Sequence, residues 1–115
     1  MTGAYDAFNR RDVEAALSAM TEDVEWANGW EGGHVRCRAA VRDYWRRQWA
    51  EIDPRVTPVD MALDDDGRVI VEVQQEVRDR DGTVVAAGRV RHAYRLQDGL
   101  VSRFDILDAG GEPGP

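Results

Sequence analysis

His92 is the residue in this sequence best suited to acid–base chemistry. It lies in the run "GRVRHAYRL", where Val90, His92 and Tyr94 share one face of an extended strand. A neighbouring run, "RVIVEVQQEV", places Gln75 in line with Val69, Val71, Val73 and Val77. A polar group buried without a partner costs roughly 1–3 kcal/mol, so two of them on adjacent inward faces predict a lined cavity rather than a filled core. The same pattern also fits a hydrogen-bonded structural histidine, and both readings stay open here. An imidazole titrates near neutral pH and can act as general acid or base, here with Asp108 or a ligand as its partner. The amides of Asn28 and Gln75 can bind a carbonyl or enolate oxygen.

Two tryptophans flank Asn28 in "EWANGWEGG". On an extended chain Trp26, Asn28 and Trp30 point the same way, as a pocket wall with a polar floor. The single cysteine, Cys37, excludes an intrachain disulfide. Its position between Arg36 and Arg38 favours a thiolate, yet a lone cysteine with no fixed partner reads first as an unreactive thiol. Only 2 histidines are present, with no Walker loop, dinucleotide fingerprint or zinc motif, so neither a metal nor a cofactor is expected.

The chain has 115 residues and a net charge of -7. All 15 basic residues are arginine and they are scattered among 22 acidic ones, which argues against nucleic-acid and anionic-membrane partners. No apolar run approaches the ~18 residues of a membrane span, and the N-terminus lacks a signal-peptide core. The sequence therefore reads as a cytoplasmic protein.

The elements that must position these groups follow from periodicity. Ala4 and Phe8 mark a first helix, and Asp12 is placed to cap a second over Val13 to Met20. Val24 to Trp26 is extended. Ala39 to Ile52 is the clearest helix, with Val41, Tyr44, Trp45, Trp49 and Ile52 on one stripe and Pro54 and Pro58 expected to end it. One strand falls in "VTPVDMALDDDG", and three more follow, separated by the turns "DRDG" and "QDG". On the last strand Ser102, Phe104, Ile106 and Asp108 are expected to share a face. Glu72 and Glu76 oppose Arg89, Arg91 and Arg95 on the outer faces, which suits either a solvated sheet or a polar homodimer interface. Helices followed by antiparallel strands make an α+β layout, with one domain over residues 1–108 and a flexible tail over 109–115.

The segments "AYDAFNRRDVEAALSAMTEDVEW", "VRCRAAVRDYWRRQW" and "GRVRHAYRLQDGLVSRFDILD" resemble the nuclear transport factor 2-like superfamily, above all its SnoaL-like and ketosteroid-isomerase-like members. The resemblance implies a cone-shaped, curved antiparallel sheet packed on three N-terminal helices and enclosing an apolar pocket. It also implies a homodimer through the outer sheet face. Ketosteroid isomerases use a carboxylate base whose position falls on Asn28, and an amide cannot take a proton near neutral pH. Their oxyanion-binding tyrosine falls on Ala4, with Tyr5 one residue away, and their protonated aspartate falls on His92. The aspartate of the limonene-epoxide hydrolases falls near Ile106, with Asp105 and Asp108 on either side, and Gln75 lies near the position of their Arg/Asp pair.

The candidate site therefore has His92, Asn28 and Asp108 as its chemical groups. Its wall is drawn from Trp26, Trp30, Tyr44 and Trp45 on one side and Val73, Gln75, Tyr94 and Phe104 on the other. Two functions fit. One is a cofactor-free isomerase or aldol-type cyclase acting on a small apolar carbonyl compound. The other is a non-catalytic small-ligand-binding or dimeric accessory domain.

Overall fold

The chain runs α1 (Thr2–Asn9), α2 (Val13–Leu17), β1 (Met20–Ala27), β2 (His34–Arg36), α3 (Arg38–Glu51), then β3 (Ile52–Leu63), β4 (Val69–Asp79), β5 (Val84–Gln97) and β6 (Leu100–Ile106). The computed structural model describes residues 2–28 and 32–107. The expected tail over 109–115 lies outside these, as do Trp30 and Asp108.

Among the described residues the strands form one curved, unclosed six-stranded sheet in the order β2-β1-β6-β5-β4-β3. Neighbours run antiparallel except β1 and β6, which are parallel. That junction departs from the all-antiparallel expectation. It arises because β6 inserts between β1 and β5, pairing Trp26 with Phe104. Register shifts that leave an extra residue in β3, β5 and β6 supply local bends of the kind that curve a sheet.

α3 forms because Val41, Tyr44 and Trp45 give it one buried face. It ends at Glu51, before either proline, and Pro54 and Pro58 both sit inside β3. The physical reason is position: β3 is an edge strand, where a missing N–H need not break a ladder. Asp12 caps α2 as expected, its carboxylate accepting from the Ala15 N–H at 3.2 Å. The helix stops at Leu17 instead of Met20, since Met20 is already the first residue of β1 and is buried in the core.

The expected face of β6 holds for Phe104 and Ile106, which pair with Tyr94 and His92, and is corrected at Ser102. Leu96 pairs with Val101 and Arg95 with Arg103, which leaves Ser102 as an extra residue. Its hydroxyl donates to the Arg95 carbonyl at 3.2 Å. The bulge shifts the alternation by one, so Val101 and Phe104 are the two buried side chains of the strand.

A pair of polar clamps fastens α1 to the open edge. Asn9 donates its amide N–H to the Val56 carbonyl at 2.7 Å and accepts the Val56 N–H at 3.0 Å, so its side chain acts as one more strand residue. Arg11 donates to the carbonyls of Phe8 at 3.0 Å and Pro54 at 2.8 Å and pairs with Asp53. Its guanidinium also lies 4.9 Å from the Trp49 ring centre. Both contacts cover an edge that would otherwise invite pairing with another chain.

No helix among the described residues is long and apolar enough to cross a membrane. Replacing Asn9 tests the clamp. Asn9→Ala strands the Val56 N–H and carbonyl and is expected to cost about 2 kcal/mol of unfolding free energy in urea titration. Asn9→Asp keeps the acceptor and is expected to lose about half of that.

Candidate ligand site

Strand β5 sets His92 and Tyr94 two residues apart, on the same inward face. Helix α1 lies over them and brings in Tyr5. The three are 6%, 5% and 5% exposed for His92, Tyr94 and Tyr5 respectively, and Asn28 is 6% exposed. Tyr94 donates its hydroxyl to the Tyr5 oxygen at 2.7 Å. The Tyr5 oxygen lies 2.9 Å from His92 Nδ1. A phenol satisfies that nitrogen in either imidazole tautomer, donating to a bare Nδ1 and accepting from Nδ1–H. The Tyr5 and His92 rings stack at 5.9 Å with an interplanar angle of 10°.

Burial fixes the protonation of this chain. Desolvation lowers the His92 pKa from 6.5 to about 4, so the ring is neutral at physiological pH. The same cause pushes both phenols above their ordinary value. Neutral imidazole is the form that can accept a proton.

The chain borders a cavity of about 1060 Å³ between the sheet and the helices. Trp26 stacks on Phe104 at 4.2 Å and meets the edge of Trp45 at 5.6 Å. Phe8 wedges against Trp45 at 5.2 Å, and Gln48 donates to the Tyr44 hydroxyl at 3.3 Å. Aromatic walls of this kind give large apolar area with little loss of side-chain freedom. The Asn28 backbone also pairs with the glycines that precede β2, donating its N–H to the Gly33 carbonyl at 2.9 Å and accepting the Gly32 N–H at 2.8 Å.

The structure brings Trp26, Asn28, Tyr44, Trp45, Gln75, His92, Tyr94 and Phe104 to this cavity. Val73 is fully buried in the core and does not reach the cavity surface, being packed between Pro58 and Val90 in the ladder. Trp30 and Asp108 lie outside the described residues, so neither is placed relative to His92.

Sequence reasoning passed over Tyr5 because the family's tyrosine counted onto Ala4. Ala4 does line the cavity, but Tyr5 carries the hydroxyl to His92. The available signal was the pairing of Tyr5 with Phe8, three residues apart on one helix face. His34 is the second histidine. It opens β2, and its Nε2 lies 2.8 Å from Asp105 Oδ1 at the cavity border.

The depressed His92 pKa has a thermodynamic consequence with a definite sign. As pH falls below the ordinary value of 6.5, the unfolded chain takes up a proton that the folded chain refuses until about pH 4. Stability is therefore full above the unfolded pKa and is lost as pH falls through that window. Between about pH 7 and about pH 5 the loss from this one group is roughly 2 kcal/mol. His92→Phe is expected to show a correspondingly smaller loss over that interval in urea unfolding. Parallel losses in the two proteins would remove the assignment.

Several solved structures share this architecture. TerC, crystallised with polyporic acid, is 26% identical with a TM-score of 0.80, and the match covers 92% of this chain and 85% of that one. A nuclear transport factor 2-like protein of unknown function from Burkholderia pseudomallei is 24% identical with a TM-score of 0.80, over 92% and 85% of the two chains. A candidate polyketide cyclase from Xanthomonas campestris pv. campestris is 23% identical with a TM-score of 0.78, over 91% and 84%. No curated protein matches the sequence. The SnoaL-like domain family matches residues 1–104, nine-tenths of the chain. With its curved sheet, its three helices and that match, the chain belongs to the SnoaL-like family of nuclear transport factor 2-like folds.

Proposed function

We propose that the chain catalyses a cofactor-free proton transfer, an isomerisation or aldol-type cyclisation, on an apolar carbonyl compound held in the cavity. The observation that carries this reading is the buried Tyr94–Tyr5–His92 hydrogen-bond chain at the cavity wall. A pKa of about 4 gives His92 the basicity of an ordinary carboxylate. It is the basicity that the amide at Asn28 lacks. Unlike a carboxylate, the imidazole is uncharged when ready to react, so it can wait in an apolar cavity without a counter-ion.

In this reading His92 Nε2 takes the proton from the carbon beside the carbonyl, while Nδ1–H is held by the Tyr5 oxygen. The imidazolium and the enolate form together and stabilise one another in low dielectric. The Asn28 amide is the donor for the enolate oxygen. The proton then returns from Nε2 to another carbon of the substrate, or to the new alkoxide in a cyclisation. Co-crystallisation of TerC with polyporic acid supports occupancy of this type of cavity by a small organic molecule.

Exchange of the α-protons of 2-tetralone in heavy water, followed by NMR, tests the step. The wild type is expected to accelerate exchange, and His92→Gln to lower the rate by about 100-fold or more. Tyr5→Phe is expected to lower it by about 10-fold through loss of ring orientation. A His92→Gln rate equal to wild type would sink the mechanism. The second reading, a non-catalytic binder, is favoured by the missing carboxylate at Asn28. It predicts quenching of the cavity tryptophans by 2-tetralone with no exchange in any variant.

The outer sheet face is proposed as a homodimer contact. Arg89 bridges Glu72 at 2.9 Å there, and Glu76 is taken by Arg78 on its own strand at 2.7 Å. Sedimentation velocity on wild type and on a Glu72→Arg variant is the check. A dimer that persists unchanged in that variant places the contact elsewhere.

A further inference from the structure

Gln75 is a polar residue of the cavity wall that the proton-transfer step does not use. It sits on the inward face of β4, in register with Val56 on one side and Gly88 on the other. Its side chain makes no hydrogen bond among the described residues, whereas Asn9, Gln48 and Gln74 are all engaged. Gly88 has no side chain to cover it. A Cβ built there would meet nothing within 4 Å, and the backbone φ of +155° is one that glycine adopts readily. The result is a gap in the wall directly beside an unengaged amide.

The spacing gives the gap a meaning. His92 follows Gly88 by four residues on β5, which is about 13 Å along the strand. Between them on the inner face lies only Val90, which is buried. Burial declines along β5 from His92 and Tyr94 to the exposed Val84, Val85, Ala86 and Ala87, so Gln75 marks the less buried end. Arg89, next to Gly88, is bound to Gln74 at 3.2 Å and Glu72 at 2.9 Å, so it does not offer a cation to a ligand there.

We propose that Gln75 is a specificity residue that binds a second, uncharged oxygen of the ligand, and that the cavity therefore selects elongated apolar molecules carrying a hydroxyl or carbonyl at each end. The carboxamide supplies both a donor and an acceptor, so it takes either group. The apolar middle of the ligand covers Val90, and the Gly88 gap admits its far end. This rests on the reading of the cavity as a small-molecule site, and it adds the length and the two-ended polarity of what enters.

The test uses two rigid probes on one stilbene frame, 4,4′-dihydroxystilbene and 4-hydroxystilbene, titrated by calorimetry. The wild type is expected to bind the diol about five- to ten-fold more tightly, the value of one added neutral hydrogen bond. In Gln75→Met, which keeps the side-chain length, the diol is expected to fall to the level of the mono-ol, with the mono-ol itself unchanged within about two-fold. Thermal melting of the variant close to wild type shows that it is folded. Equal binding of the two probes by the wild type, or a diol preference that survives in Gln75→Met, overturns the proposal and leaves the cavity reading intact. Absence of binding by both probes in the wild type overturns the cavity reading, and this proposal with it.

Discussion

An imidazole removed from water must remain uncharged and must still find hydrogen-bond partners. His92 meets both demands through one phenol, and much of the fold is arranged to deliver that phenol. Tyr5 belongs to a helix of only two turns, too short to hold itself in place. It stays over β5 because Asn9 and Arg11 fasten its far end to β3. β3 can accept those clamps because it is the outermost strand, its prolines tolerated there and its free polar groups turned toward α1. The chemical group in the cavity therefore depends on a contact made two strands away, at the sheet's edge.

The remaining polar groups follow the same logic. A charged base would need a buried counter-ion, which is expensive to desolvate. A neutral histidine with carboxylate-like basicity avoids that. Phe104, Trp26 and Trp45 keep water away from the ring while adding no charge of their own. Asn28 fits the same environment, because an amide offers a donor without the desolvation demand of an ion.

Much of this was legible in the sequence wherever a simple period held. The alternation along β5 correctly placed Val90, His92 and Tyr94 on one face, and the stripe on α3 correctly buried Val41, Tyr44 and Trp45. Legibility failed where geometry breaks the period. Ser102 adds a residue to β6, so Val101 in its place is buried with Phe104, and nothing in its identity announces a bulge. Pro54 and Pro58 looked like helix stops because sequence does not reveal that a strand lies at an edge. Tyr5 was missed by a single position, which on a helix is a turn of about 100° and changes what a side chain faces. Gln75 was visible as a polar interruption, but its lack of a partner is a property of Gly88 across the ladder.

The parallel pairing of β1 with β6 carries a further consequence. Sequence neighbours do not meet there: Trp26 sits beside Phe104, and the Val101 N–H is given to the Ala19 carbonyl at 2.8 Å. The Trp26–Phe104 stack is thus assembled from the first quarter and the last tenth of the chain. Contacts of such long sequence separation form late, after the loop-closure entropy has been spent. On the ribosome, the β3–β4–β5 hairpins can pair as they emerge, but Trp26 has no ring to stack on until residue 104 has been synthesised. Until then β1 exposes an unpaired edge and one bare face of its indole, the kind of surface that chaperones recognise. The cavity is the last part of this protein to exist.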